Sequence, residues 1–114
     1  MSSRVYKGEI QEHNGKPQVS VYADNLLENF YTGPLTHKML HSPDGFNWGY
    51  GGSGPEDLSR SLLWDVLAEE PDSFMCHDFT LAVVAKLPSD WELQESIIHA
   101  WVEEWNENNE RANS

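Results

Sequence analysis

The residues best suited to chemistry fall in two places. The first is Gly49-Tyr50-Gly51-Gly52-Ser53-Gly54, where Gly49, Gly51 and Gly54 match the spacing of a dinucleotide fingerprint set between a strand and a helix. Such glycines let backbone amides close on a pyrophosphate at a helix N-terminus. The match is formal only. The elements before it read as antiparallel hairpins rather than a parallel βαβ unit, no Lys-Ser/Thr pair follows, and Glu56 and Asp57 would repel phosphate from those amides. One reading is structural: a strand-to-helix turn in which glycine permits positive φ and close passage beneath Trp48 and Tyr50. The other is a loop that takes a small ligand or a partner's backbone, with His41, Asp44, Trp48, Tyr50, Gly51, Gly52, Ser53 and Gly54 as its candidates. Trp48 stands out among the five tryptophans, because Trp64, Trp101 and Trp105 lie on or beside helical core stripes and Trp91 opens an element.

The second place is the row Glu92, Glu95, His99, Glu103, Glu107 and Glu110, which share one side of a helix at helical spacing. Carboxylates four apart repel by a few tenths of a kcal/mol per pair unless a cation or partner relieves them. A plain solvated face tolerates that cost; a docking surface uses it. The net charge of −12 is concentrated in the C-terminal half: up to Pro55 there are five acids and four bases, and from Glu56 onward fourteen acids against Arg60, Lys86 and Arg111. Such a field disfavours direct binding to nucleic acid or an anionic membrane and favours a protein with a basic surface.

Other constellations are weaker. His37 and His41 would share a strand face near Asp44, and zinc accepts such donors, but the dense spacing of a zinc site is missing. Cys76 and His77 are adjacent and so point apart on a helix, and a cysteine of this kind is commonly a small buried hydrophobe. Ser53 lacks the Gly-x-Ser-x-Gly elbow of a hydrolase nucleophile. No catalytic residue, no metal ligand and no cofactor is assigned, and a non-enzymatic role is favoured.

These groups must be positioned by one domain, residues 1–114, whose length suffices to bury roughly two thirds of the unfolded surface. A single cysteine excludes an intramolecular disulfide and suits a reducing compartment, and no apolar run approaches the ~20 residues of a membrane span. With no apolar signal core at the N-terminus, a cytoplasmic protein is expected.

The expected fold class is α+β: an antiparallel sheet of three to four strands in the N-terminal half, packed against about three helices in the C-terminal half. Residues 4–12 alternate as a strand, Asn14-Gly15 favours a type I′ turn, and Val19, Val21 and Ala23 continue on a return strand that begins beside Pro17. Asp24-Asn25 can cap a short helical turn carrying Leu26, Leu27 and Phe30, ended by Gly33-Pro34. Leu35–His41 and Phe46–Tyr50 read as a third and fourth strand joined at Ser42-Pro43-Asp44-Gly45. Helices are expected near 55–69, 73–87 and 92–107. The first starts with a Ser53/Glu56 capping box or with Gly54 capping Pro55, the second with Asp72. Residues 76–87 also fit a strand, and 107–114 read as a frayed tail. The core should include Val19, Val21, Phe46, Leu58, Leu62, Val66, Phe79, Val83, Ile97 and Trp101.

The run His41-Ser42-Pro43-Asp44-Gly45-Phe46, followed by Trp48-Gly49-Tyr50-Gly51-Gly52-Ser53-Gly54-Pro55, resembles the signature of a family of small bacterial, plasmid and phage proteins, domain of unknown function 6166. Similarity extends to Tyr6-x-Gly8, the Leu58–Leu67 helix, Val83-Val84-Ala85-Lys86-Leu87-Pro88, Trp91-x-Leu93 and Ile98-x-x-Trp101-Val102. Two departures stand out: Phe79-Thr80 where the family has Phe-Lys, and the extra acid Glu56-Asp57 beside the loop. The resemblance implies a bacterial or phage-infected cytoplasm and carries over no catalytic residue.

The combined expectation is an interaction module borne by a phage, prophage or plasmid. It would bind a basic host or mobile-element protein, for which a nucleic-acid-handling defence protein is an apt target. A small-ligand protein or enzyme sited at Trp48–Gly54 is the alternative, and a homodimer is left open.

Overall fold

A computed structural model of the chain describes residues 3–11, 15–24, 29–40 and 45–112. Four strands form one antiparallel sheet in the order β3-β2-β1-β4: β1 Ser3–Ile10, β2 Pro17–Asp24, β3 Asn29–Pro34 and β4 Trp91–Gln94. Helices α1 Ser53–Leu67, α2 Ser73–Ala82 and α3 Glu95–Ala112 complete the α+β fold.

The first hairpin pairs Tyr6 with Val21 and Gly8 with Val19, so period-2 alternation sends Tyr6, Val19 and Val21 into the helical side. Pro17 opens β2, where its missing N–H costs least. The ladder continues past Ile10–Pro17 to a Gln11 N–H bond on the Lys16 carbonyl, 2.9 Å, so the turn is longer than two residues; Gly15 sits at φ 66° and Asn14 lies outside the described residues. Gly8 is required by close approach. A Cβ there would collide with the Trp91 indole, which lies across it from the neighbouring strand.

Several expectations are corrected. Residues 29–34 are a strand, not the end of a helical turn: Phe30-Tyr31-Thr32 is an aromatic and β-branched run that pairs with β2. Leu26 and Leu27 fall outside the described residues. Leu35–Leu40 is no strand. After one bond from Leu35 N–H to the Val19 carbonyl, the chain leaves the sheet and runs along α1. Residues 46–50 are loop as well, and the fourth strand is β4, which the sequence assigned to the last helix. Trp91 and Leu93 alternate onto Gly8 and Tyr6 of β1, and the chain turns helical only at Glu95. Neither proposed cap opens α1; its N-cap is Gly52, with no side-chain bond, and Pro55 stands two residues inside the helix. Asp72 does cap α2, accepting from Phe74 N–H at 2.8 Å and Met75 N–H at 3.2 Å. The second helix is shorter than expected, giving way at Val83 to a single 3-10 turn over Val84–Lys86.

The core joins one sheet face to the stripes Leu58, Leu62, Val66 and Met75, Phe79, with Ile98 and Val102 from α3. Phe46, Val83 and Trp101 pack at its margin, and Ile97 is 58% exposed where Ile98 is 1% exposed. The junction at Glu95 fixes α3's phase so that positions 98, 101, 102 and 105 point inward. No described helix is long and apolar enough to cross a membrane.

Candidate functional site

The glycine-rich loop is clamped flat onto the body of the protein. Gly49 adopts φ 85°, its amide donates to the Val84 carbonyl at 3.0 Å, and a Cβ would press within 3.2 Å of the Leu87 carbonyl oxygen. Trp48 is buried, its indole N–H donating to the Ser89 carbonyl at 3.2 Å and its ring meeting Trp91 edge-on at 5.6 Å. Gly54 is buried against Asn47. Trp48 is thus a core residue, its ring against Trp91 and its N–H bonded to Ser89, rather than a side chain exposed beside the loop. Tyr50, Gly51, Gly52 and Ser53 remain exposed; His41 and Asp44 lie outside the described residues.

Beside the loop, α1 carries a polar stripe that sequence reasoning missed. Asp57 is fully buried, accepts the Leu40 N–H at 3.2 Å and faces His37 Nε2 at 3.0 Å, while the His37 ring packs 4.6 Å from Phe46. One turn on, Ser61 Oγ accepts from Lys38 N–H at 2.9 Å. A further turn on, Asp65 Oδ2 accepts from Tyr6 Oη at 2.6 Å and Arg4 Nη1 at 2.8 Å. Burial, then the Asp65 hydrogen bond, pushes the Tyr6 hydroxyl far above its ordinary range, so it stays a donor. The readable signal was the i, i+4, i+8 spacing of Asp57, Ser61 and Asp65 beside the Leu58–Leu62–Val66 stripe. The stripe fastens segment 35–40 and β1 to α1. Arg4 is held by Asp65 at 2.8 Å and by Glu95 at 3.7 Å.

The nucleophile candidates are disarmed by their surroundings. Cys76 is buried and its thiol is pushed up to about 11, chiefly by desolvation, so it is protonated at neutral pH. His77 turns to Glu56, with Nδ1 2.9 Å from Oε1. Among the described residues no group of three His, Cys, Asp or Glu side chains is placed to hold a metal ion.

The acidic half is arranged differently. Glu92 is on β4, not on the helix, 4.0 Å from Lys7 Nζ. Glu95 is spent on Arg4, whose backbone N–H it accepts at 2.8 Å, and lies 3.6 Å from His99. The row that reaches solvent along α3 is therefore His99, Glu103, Glu107 and Glu110. Next to it the facing stripes of α2 (Asp78, Leu81) and α3 (Trp101, Glu104, Trp105) line a groove of about 420 Å³. Trp105 Nε1–H donates to Asp78 Oδ2 at 2.7 Å, and Trp101 meets Phe79 edge-on at 4.9 Å. Trp105 also borders a second groove, about 640 Å³, whose charged residues are Glu69, Glu70 and Asp72. Every charged side chain lining either groove is a carboxylate. Arg60, which reaches Glu70 at 3.2 Å, is the one base that meets any of them in a described ion pair, and it is simultaneously stacked 4.9 Å over Trp64. Sequence reasoning found the α3 row but not Asp78, Glu104 or the 69–72 cluster, because spacing along one helix does not say which residues of another it faces.

No match was found among curated proteins or among solved structures. Residues 6–104, nearly the whole chain, match the model described as Family of unknown function (DUF6166), and the chain belongs to that family.

Proposed function

We propose that the protein is a non-enzymatic interaction module that binds a basic protein through the two grooves flanking Trp105 and the exposed acidic row of α3. The observation that carries this reading is that a half-buried tryptophan forms the ridge between two concavities whose charged linings are all acidic. Carboxylates gathered around apolar surface repel one another and raise the local concentration of cationic partners; an aromatic ridge supplies the buried anchor that charge alone does not. A phosphate-binding surface has the complementary charge, so a nucleic-acid-handling protein is the target class that suits the acidic half. Occupying such a surface would inhibit it. In the phage, prophage or plasmid setting suggested by the family resemblance, a cytoplasmic defence protein of the host is the fitting instance.

The test is capture of partners from bacterial lysate by the tagged chain at low and high salt, repeated with Glu103→Gln, Glu104→Gln and Glu107→Gln together. The expected result is a stoichiometric basic partner, released by salt and lost with the triple variant, but retained by Tyr50→Ala. Capture that is indifferent to both salt and the glutamine substitutions, or that depends on Tyr50, would overturn it.

A further inference from the structure

We propose that the α2–α3 groove is a slot for an arginine side chain of the partner, held along the indoles of Trp101 and Trp105 between Asp78 and Glu104. This rests on the reading above and sharpens it to one chemical group. A groove of about 420 Å³ takes one long side chain with its flanking backbone, not a folded element. Its lining combines two half-buried indoles, the 53%-exposed Leu81 and two carboxylates. A neutral apolar occupant would desolvate Asp78 and Glu104 without pairing them, and an anion would be repelled. Of the two common cations, guanidinium suits this lining better: it is planar, more weakly hydrated than ammonium, stacks on indole faces and bonds carboxylates with several N–H groups at once. The slot is also pre-set. Trp105 is pinned by its bond to Asp78 Oδ2, while Glu104 makes no hydrogen bond or ion pair among the described residues. The chain supplies no such cation from α2, which has no Lys or Arg, and Arg4 and Arg60 are engaged elsewhere.

The test titrates the full-length, ¹⁵N-labelled protein with blocked tri-arginine, tri-lysine and tri-citrulline, following the tryptophan indole N–H signals. The expected outcome is a shift of the Trp105 signal by tri-arginine, at an affinity severalfold above tri-lysine, with no shift from tri-citrulline, which keeps the shape and loses the charge. Glu104→Gln should weaken tri-arginine by about fivefold and Asp78→Asn by at least as much, whereas Glu110→Gln, off the groove, should change it less than about twofold. Glu104→Gln breaks no hydrogen bond or ion pair among the described residues, so it keeps the test valid should Asp78→Asn loosen Trp105. Equal binding of arginine and citrulline peptides, or an unmoved Trp105 signal, would overturn the slot. So would a concentration-dependent dimer dissolved by Arg111→Ala, which would assign the groove to a second copy. Failure of the peptide test with salt-sensitive capture intact removes only the slot; loss of salt-sensitive capture with tri-arginine still bound at Trp105 removes the partner reading and leaves the slot.

Discussion

The glycine-rich loop and the α2–α3 groove make opposite use of tryptophan. Trp48 and Trp91 meet edge-on inside the core, with Gly8 cleared beneath one and Gly49 tied to the 3-10 turn beside the other. Trp101 and Trp105 instead stay half-buried, and the indole N–H of Trp105 points to an exposed carboxylate. The most conspicuous motif of the sequence therefore builds the fold, while the surface proposed to recognise a partner is assembled from residues that form no motif. A glycine-dense stretch marks tight backbone approach as readily as it marks a ligand.

The largest effect that would break this contrast is on the loop side. Trp48→Ala should lower the unfolding free energy by about 3–5 kcal/mol, the cost of deleting a large buried aromatic, read as a drop in the denaturant midpoint. A near-neutral result would mean that the loop is not part of the core and would return it to the candidate ligand sites. Gly8→Ala tests the same region from the other wall, with about 1–3 kcal/mol expected as its methyl displaces the Trp91 ring.

How far the sequence could be read follows the same division. Helix α1 was legible because Leu58, Leu62 and Val66 recur every fourth residue and Pro71 stops the pattern; α2 announced itself through the Asp72 cap. Strand β4 was not. Its four residues carry too little periodicity, and their state is decided by pairing with β1, far earlier in the chain. Phe46, Trp48 and Tyr50 alternate as a strand would, but the alternation belongs to a loop that buries one aromatic and exposes another. Ile97 and Ile98 are both apolar, so no periodicity could choose between them; the β4–α3 junction does. The groove is a product of two helices facing each other, and a single stripe shows only half of it.

Tyr6 of the buried polar seam and Cys76 of α2 give the fold a pH signature. Both Tyr6 and Cys76 are harder to ionise folded than unfolded, so above their ordinary values the unfolded chain binds fewer protons and stability falls as pH rises. The Cys76 share is fully present below pH about 9 and is lost as pH climbs to about 11; the Tyr6 share begins to fall above pH about 10 and continues beyond. Denaturation midpoints measured from pH 8 upward should hold and then decline, by about 3 kcal/mol or less from the thiol. Cys76→Ala should remove the earlier part of the decline, and a curve unchanged by that substitution would show the thiol to be solvated.

The smallest stability effect belongs to the groove, and it sharpens the contrast most. Glu104 is exposed and its side chain is unpaired among the described residues, so Glu104→Gln should shift unfolding by no more than about 0.5 kcal/mol, in either direction. Relief of repulsion with neighbouring acids works toward a slight gain; a loss would need a partner that the described residues do not supply. The same substitution should weaken binding of a basic partner most at low salt and least where the Debye length shrinks below the groove's own dimensions. A stability change of 2 kcal/mol or more would place Glu104 in the structural seam with Asp57 and Asp65 and dissolve the distinction between the two regions. Unchanged stability with weakened, salt-dependent binding is what a surface held open for a cation requires.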